Sequence, residues 1–168
     1  MRRGFVFAVF LVSAILLSCS TPNKPAEKPD RNHAVHETND LPDITMMEEN
    51  GQPFSAASLS GKTVLIFFNA DCDHCQRETA EIQKNLDAFK SYTLYFISMD
   101  QFSVINRFAE KYKIAHEPNI HLARADGRTV FAAMGPMQTP TICIYTTAKR
   151  LAKRFDGETK IGDIIDLL

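Results

Sequence analysis

The chain has 168 residues, 45% of them hydrophobic, with a formal net charge of −1 and four cysteines. That is enough for one globular domain with its own core plus a short extra segment, and too little for two full domains. A near-neutral balance without a dense basic cluster leaves no electrostatic footprint for nucleic acid, and four cysteines with one close pair are too few for a disulfide framework.

The N-terminus reads as a processing signal, to be set apart from the fold. Met1, Arg2 and Arg3 form a positive region, and Phe5 to Leu17 form an apolar run too short for a comfortable membrane span. The run stops at Leu16, Leu17, Ser18 and Cys19, which resembles a bacterial lipobox, with Leu17 an uncommon residue before the small one. The resemblance implies that residues 1–18 are a lipoprotein signal peptide and that Cys19 carries a lipid; the plainer alternative is a secretory signal with a chance cysteine. Ser20, where some lipoproteins carry an aspartate that retains them in the inner membrane, implies an outer-membrane destination in a two-membrane cell. Residues 19–40 hold Pro22, Pro25 and Pro29 among charged and polar residues, so they read as a disordered, lipid-anchored tether. His33 and His36 fall inside it and receive no role.

The folded domain is expected over residues 41–168. Ile44 to Glu48 suits a short strand, Asn50-Gly51 a turn, and Phe54 and Leu59 bring the chain back to the core. Val64 to Phe68 is apolar without alternation, the pattern of a central strand buried on both faces. Thr79, Ile82, Leu86 and Phe89 continue the spacing from Cys75 in steps of three and four, one face of a helix, with Arg77, Glu81 and Lys84 on a solvated face. Tyr92 to Ser98 is a second strand, which completes a parallel βαβ unit and makes the class α/β. Ser103 is positioned to cap a helix through Tyr112. Ile120 to Ala123 suits either a short strand or a covered loop, and Asp126 suits the cap of a short helix ended by Gly135. Ile142 to Tyr145 and Leu151 to Phe155 should form an antiparallel hairpin. Thr159 is placed to cap a last helix built on Ile161, Ile164, Ile165 and Leu168.

The chemistry concentrates at Cys72-Asp73-His74-Cys75. The pair falls where a strand turns into a helix, so Cys72 meets the unpaired N–H groups and positive dipole of the helix start, while Cys75 shares the buried stripe. An exposed thiolate with a second thiol one turn away is what thiol-disulfide exchange requires. His74 can stabilise a Cys72 thiolate, and Asp71 and Asp73 oppose it; the net sign stays open. Cys143, in the last apolar strand, reads as a small buried hydrophobe.

Together, Pro42-Asp43, Asn50-Gly51, Leu59, Gly61-Lys62, Cys72-x-x-Cys75-x-x-Glu78 and Thr139-Pro140-Thr141 resemble the TlpA/ResA branch of thioredoxin-like proteins, membrane-tethered envelope thiol-disulfide oxidoreductases. The resemblance runs from about Leu41 to the C-terminus. It implies a thioredoxin-like fold, a central mixed β-sheet flanked by helices, with Cys72 as attacking and Cys75 as resolving thiol. It also implies Glu78 as an acid/base near the second thiol, a cis Pro140, and a Thr139 backbone that meets the substrate. Its partners would be exported cysteine-containing proteins and a membrane thiol-disulfide electron donor, with no cofactor. Family resemblance favours a reductase; His74, which strongly oxidising relatives share, favours oxidation. The chain departs from the pattern in having no tryptophan, with Asp71 and Phe68 at the usual positions, and in carrying Ile66 where thioredoxin keeps a buried aspartate and Ala80 where a helix proline is frequent.

Two other readings compete. A copper- or zinc-binding module would join Cys72 and Cys75 to a histidine such as His116 or His121, although a structural zinc site needs a second ligand pair. A peroxiredoxin-like peroxidase would need a threonine three residues before Cys72, where this chain has Asn69.

Overall fold

The computed structural model describes residues 39–168; the signal, Cys19 and nearly all of the tether lie outside the described residues. The chain forms strands β1 (Thr45–Met47), β2 (Pro53–Ser55) and β3 (Thr63–Phe67), helix α1 (Asp73–Lys84), strand β4 (Thr93–Ser98), helix α2 (Phe102–Lys111), strand β5 (Ile120–Ala125), helix α3 (Gly127–Met134), strands β6 (Thr141–Tyr145) and β7 (Leu151–Asp156), and helix α4 (Ile161–Ile165). They build one mixed seven-stranded sheet in the order β2-β1-β5-β4-β3-β6-β7, in which β3, β4 and β5 are parallel and the other pairings are antiparallel.

Strand β3 lacks polar alternation because both of its faces are covered. Val64 and Ile66 pack with Cys75 and Ile82 of α1, Ile105 and Phe108 of α2, and Ile164 of α4. Leu65 and Phe67 point into a second core with Cys143, Tyr145, Val130 of α3 and Ile44 and Met46 from the N-terminal segment. The α/β thioredoxin-like architecture expected from the sequence is therefore present, a mixed sheet between helical layers.

Register decides what gathers at each end of the sheet. Phe67 pairs with Ile97 in parallel β4 and with Thr141 in antiparallel β6, and Thr141 pairs in turn with Asp156 of β7. The residues after β3, after β4, before β6 and after β7 consequently share one pole. The other pole holds Thr63, Tyr145 and the β6–β7 turn, and the described chain enters there: the Asp40 N–H donates to the Lys149 carbonyl at 2.9 Å.

Several local expectations need correction. Pro53–Ser55 is a strand, paired antiparallel with β1 around Gly51, whose φ of +82° is easy only for glycine. Of the two alternatives for Ile120 to Ala123 the strand is the one that forms, running on to Ala125 with partners on both edges. The stripe from Cys75 to Phe89 is not one helix: α1 stops at Lys84, Asn85 breaks it, and Leu86–Phe89 continue as a 3₁₀ turn that still buries Phe89. Ser103 does not cap α2; Gln101 stands at the cap without a side-chain bond. Thr159 does not cap α4 either, since Lys160 holds that position and the Thr159 N–H goes elsewhere. Asp126 does cap α3, accepting from the N–H groups of Arg128 and Thr129 at 3.0 and 3.3 Å.

The caps give a direct check. Asp126→Ala should lower the unfolding free energy by about 1 kcal/mol. Ser103→Ala, which removes an exposed hydroxyl that caps nothing, should change it by less than about 0.5 kcal/mol. Denaturant midpoints of the two variants measure the difference, and equal losses would return Ser103 to the role of cap.

Candidate active site

The turn between β3 and α1 is fixed before any thiol is considered. The Asn69 side chain accepts from the Asp71 N–H at 2.9 Å and its carbonyl from the Cys72 N–H at 3.2 Å, an Asx turn that reverses the chain. The Ala70 N–H donates to Asp100 at 3.2 Å, and the Gln76 side chain donates back to the Ala70 carbonyl at 3.0 Å. Helix α1 follows without a kink at Ala80.

Cys72 is the N-cap residue of α1. Its Sγ accepts from the Cys75 N–H at 3.4 Å and lies 3.6 Å from the Thr139 carbonyl oxygen, a contact across 67 residues of chain. Burial pushes the half-buried Cys72 thiol up, but hydrogen bonds from the side chain and N–H of Cys75 outweigh this and leave it below the usual thiol range. Cys75, one turn inside and only 1% exposed, goes the other way: burial, with the Cys72 sulfur beside it, pushes its thiol up to about 12. One thiol is thus prepared to be ionised and reached, the other to stay protonated and hidden.

Glu78 lies one turn beyond Cys75. The sequence places it beside the buried stripe; the fold takes it fully inside, 3% exposed. Its Oε1 accepts the Thr159 N–H at 2.9 Å, and its Oε2 is buried without a hydrogen-bond partner among the described residues. Burial pushes the carboxyl up to about 7, against the Thr159 hydrogen bond and with a contribution from the charge of Glu158. A carboxyl so placed exchanges a proton near neutrality, and its unpaired oxygen is free to carry it.

His74 is exposed and engaged. Its Nδ1 lies 2.6 Å from Glu158 Oε2, while Arg77 donates from Nε to Oε1 at 2.9 Å and from Nη2 to Oε2 at 2.6 Å. Arg77 is therefore not the merely solvated residue that its helix face suggests, whereas Glu81 and Lys84 do form an ordinary surface pair at 2.7 Å. The Thr139–Pro140 peptide bond is cis, and Pro140 is buried. The Pro140 carbonyl accepts the Gly157 N–H at 2.8 Å, and the Thr141 hydroxyl donates to Asp156 at 3.0 Å and to the Gln138 carbonyl. Thr139 borders an open groove with His74, Gln138, Glu158 and Lys160 on one side and a smaller apolar pocket with Met99, Val130 and Met137 on the other.

The remaining sequence candidates lie elsewhere or act differently. Cys143 is fully buried, its thiol pushed up to about 11 by burial, and packs in the core opposite to that of Cys75, with the sheet between them. Phe68 is a core residue, its ring centroid 4.6 Å from that of Phe108, and it also lines the small pocket that Met99 and Met137 share with Thr139. His121 stacks on Tyr95 at 4.9 Å and His116 pairs with Glu110 at 3.2 Å. Among the described residues no group of three or more His, Cys, Asp and Glu side chains is arranged to hold a metal ion. Sequence reading missed Glu158 and gave Thr159 only the role of a cap, whereas both meet α1 across about 80 residues; a turn-like Gly157 after β7 is a local sign of the link, and it says nothing of partners.

Comparison with known proteins agrees with this fold. A secreted disulfide oxidoreductase of Mycobacterium tuberculosis, homologous to DsbE of Escherichia coli, superposes with a TM-score of 0.62 at 20% identity, over 76% of this chain and 95% of its own. A thioredoxin-like protein from Aeropyrum pernix gives 0.62 at 12% identity, over 74% and 87%. Arabidopsis thaliana ScoI with copper bound gives 0.58 at 13% identity, over 74% and 92%. At these identities the likeness concerns the thioredoxin-like fold. No curated protein matches the sequence. Residues 38–160, nearly the whole folded domain with its cysteine pair and cis proline, match the AhpC/TSA family, and to that family the chain belongs.

Proposed function

We propose that this protein is a thiol-disulfide oxidoreductase of the TlpA/ResA type, exchanging disulfides with exported proteins in a bacterial envelope and working as a reductase. The observation that carries the proposal is the unequal treatment of two thiols one turn apart, with Cys72 acidified at a helix start against the Thr139 carbonyl and Cys75 buried and held protonated.

In the reduced protein the Cys72 thiolate attacks one sulfur of a substrate disulfide. A Cys72–substrate bond forms, the substrate's own S–S bond breaks, and its other sulfur leaves as a thiolate. Cys75 then loses its proton to Glu78 and attacks Cys72 Sγ. The Cys72–Cys75 bond forms, the mixed disulfide breaks and the second substrate sulfur leaves, so two electrons have passed from the pair to the substrate. A membrane thiol-disulfide donor would return the pair to the dithiol. Thr139, whose backbone already faces Cys72, and Pro140, which holds that backbone in place, would meet the substrate chain.

The competing readings find less support. A metal module gains no third ligand from His116 or His121, which are engaged elsewhere. A peroxidase gains no hydroxyl donor from Asn69, whose side chain is engaged with the Asp71 N–H. The envelope location rests on the N-terminal sequence, whose lipobox-like end would attach the protein through a lipid on Cys19; among the described residues no helix is long and apolar enough to cross a membrane.

The role assignment is tested by trapping. Cys75→Ser should accumulate mixed disulfides with exported proteins and Cys72→Ser should not; alkylation of Cys75 before Cys72 in the reduced protein would reverse the roles. Attachment is tested by fatty-acid labelling, which should be present in the wild type and absent in Cys19→Ala; a Cys19→Ala protein that still carries lipid would sink the anchor.

Glu78 carries a pH signature. Its folded pKa of about 7 lies above the ordinary carboxyl value of 4.5, so between these limits the folded state binds more protons than the unfolded one. The sign follows from linkage: the stability Glu78 contributes is complete below pH 4.5 and is lost as pH rises through 7, a loss of roughly 3 kcal/mol at most. In Glu78→Gln this part of the slope should vanish, and release of a substrate peptide from the Cys72 mixed disulfide should slow about tenfold or more. Unfolding free energies at pH 5 and pH 8, with single-turnover release, check both; an unchanged slope and release rate would leave Glu78 a structural residue only.

A further inference from the structure

The link after β7 joins the site at three successive residues. Gly157 donates its N–H to the Pro140 carbonyl, Thr159 donates its N–H to Glu78, and between them Glu158 grips the first turn of α1 by its side chain. The grip has a definite protonation pattern. An Nδ1 at 2.6 Å from a carboxylate oxygen must carry a hydrogen, because two acceptors would repel at that distance. The 2.8 Å approach of Arg77 Nη2 to the same Nδ1 is then the convergence of two donors on one oxygen, Oε2. Glu158 thus stands against the Arg77 guanidinium and the His74 Nδ1–H, both on the turn that Cys72 caps. It is held ionised there, its carboxyl pushed down to about 2 by the Arg77 and then the His74 hydrogen bonds.

This turn lies close to Cys72: Arg77 is within electrostatic range of its sulfur and His74 stands two residues from it, so positive charge left free there would favour a thiolate. We propose that Glu158 is a positioning residue that sets the acidity and redox poise of Cys72 by holding Arg77 in an ion pair and the His74 ring by its Nδ1–H at the helix start. This deepens the thiol-disulfide reading above and rests on it. Reduction of the Cys72–Cys75 disulfide by a dithiol donor breaks one S–S bond, forms another in the donor and delivers two electrons and two protons. One of those protons is shed again by Cys72 where its thiol is acidic, so whatever favours the thiolate favours the dithiol and makes the pair more oxidising. By neutralising Arg77 and taking up the His74 N–H, Glu158 acts against this and keeps the pair reducing. The titratable and charged groups that remain when it is changed are Asp71, Asp73 and Glu81 from the α1 side, Lys160 from its own link, and Glu78, whose carboxyl feels the charge of Glu158.

The test compares Glu158→Gln, Arg77→Gln and the double variant with wild type by two measurements: the pH midpoint of Cys72 alkylation by iodoacetamide, and the dithiol-disulfide equilibrium in glutathione buffers. Glu158→Gln should move the midpoint to lower pH and shift the equilibrium toward the dithiol by on the order of threefold to tenfold. Arg77→Gln should move both the opposite way, and the double variant should lie near wild type. A loosened loop would shift both single variants in one direction, and that result, or an unmoved midpoint in Glu158→Gln, overturns the proposal. Insulin-disulfide reduction, run alongside, separates the two readings. Wild type without that activity but with the opposed shifts would remove the oxidoreductase and leave the Glu158 effect standing; activity with no shift would remove Glu158 alone.

Discussion

Everything at the site depends on where β3 lies in the sheet. It is flanked by a parallel neighbour on one edge and an antiparallel neighbour on the other, with both faces covered, so its five residues are all buried. Parallel pairing to β4 sends α1 over one face, and antiparallel pairing to β6 brings the start of that strand to the end of β3. The 3.6 Å approach of Cys72 to the Thr139 carbonyl follows from this pairing and owes little to the loops themselves. A one-residue slip of β6 would turn Ile142 and Ile144 to the other core and remove the carbonyl from the thiol.

Around that fixed point the protein uses burial and charge to separate groups of similar chemistry. Two thiols at the ends of one turn are driven apart in acidity, one by hydrogen bonds at a helix start and the other by enclosure. Two glutamates are separated just as widely: Glu78, inside with one oxygen unpaired, ionises reluctantly, whereas Glu158, at the rim between a guanidinium and an imidazole, stays ionised to low pH. The interior carboxyl is thereby suited to exchanging a proton and the rim carboxyl to holding a standing charge, so the two divide by depth.

What the sequence discloses and what it hides divide along the same line. Periodicity and turn residues located nearly every strand and helix, and Cys72 and Cys75 fell where a strand-to-helix turn puts them, because these features depend on neighbours within a few residues. The short strand Pro53–Ser55 escaped notice, since three residues carry no period. The breaks at Asn85 and at the α2 cap escaped for another reason: Asn85 closes α1 with its side-chain amide on the Glu81 carbonyl at 2.8 Å, outside the periodicity, and α2 opens on Gln101 with no side-chain cap to mark it. The depth of Glu78 and the capture of Arg77 and His74 were not legible at all, since both depend on a link about 80 residues away whose position is set by strand pairing. Cis Pro140 came only from resemblance to a family, since Thr-Pro by itself does not choose an isomer.

The chain enters the domain beside the β6–β7 turn, at the pole opposite Cys72, with Asp40 held by hydrogen bonds to Lys149 and Leu151 and by an ion pair to Arg150. A pull applied through the residues before Asn39 is therefore taken up at the far end of the sheet, and its line of action passes through the strands before it can reach the thiols. The end of the sheet where the described chain begins and the end that carries the thiols are thus opposite, with the length of the strands between them.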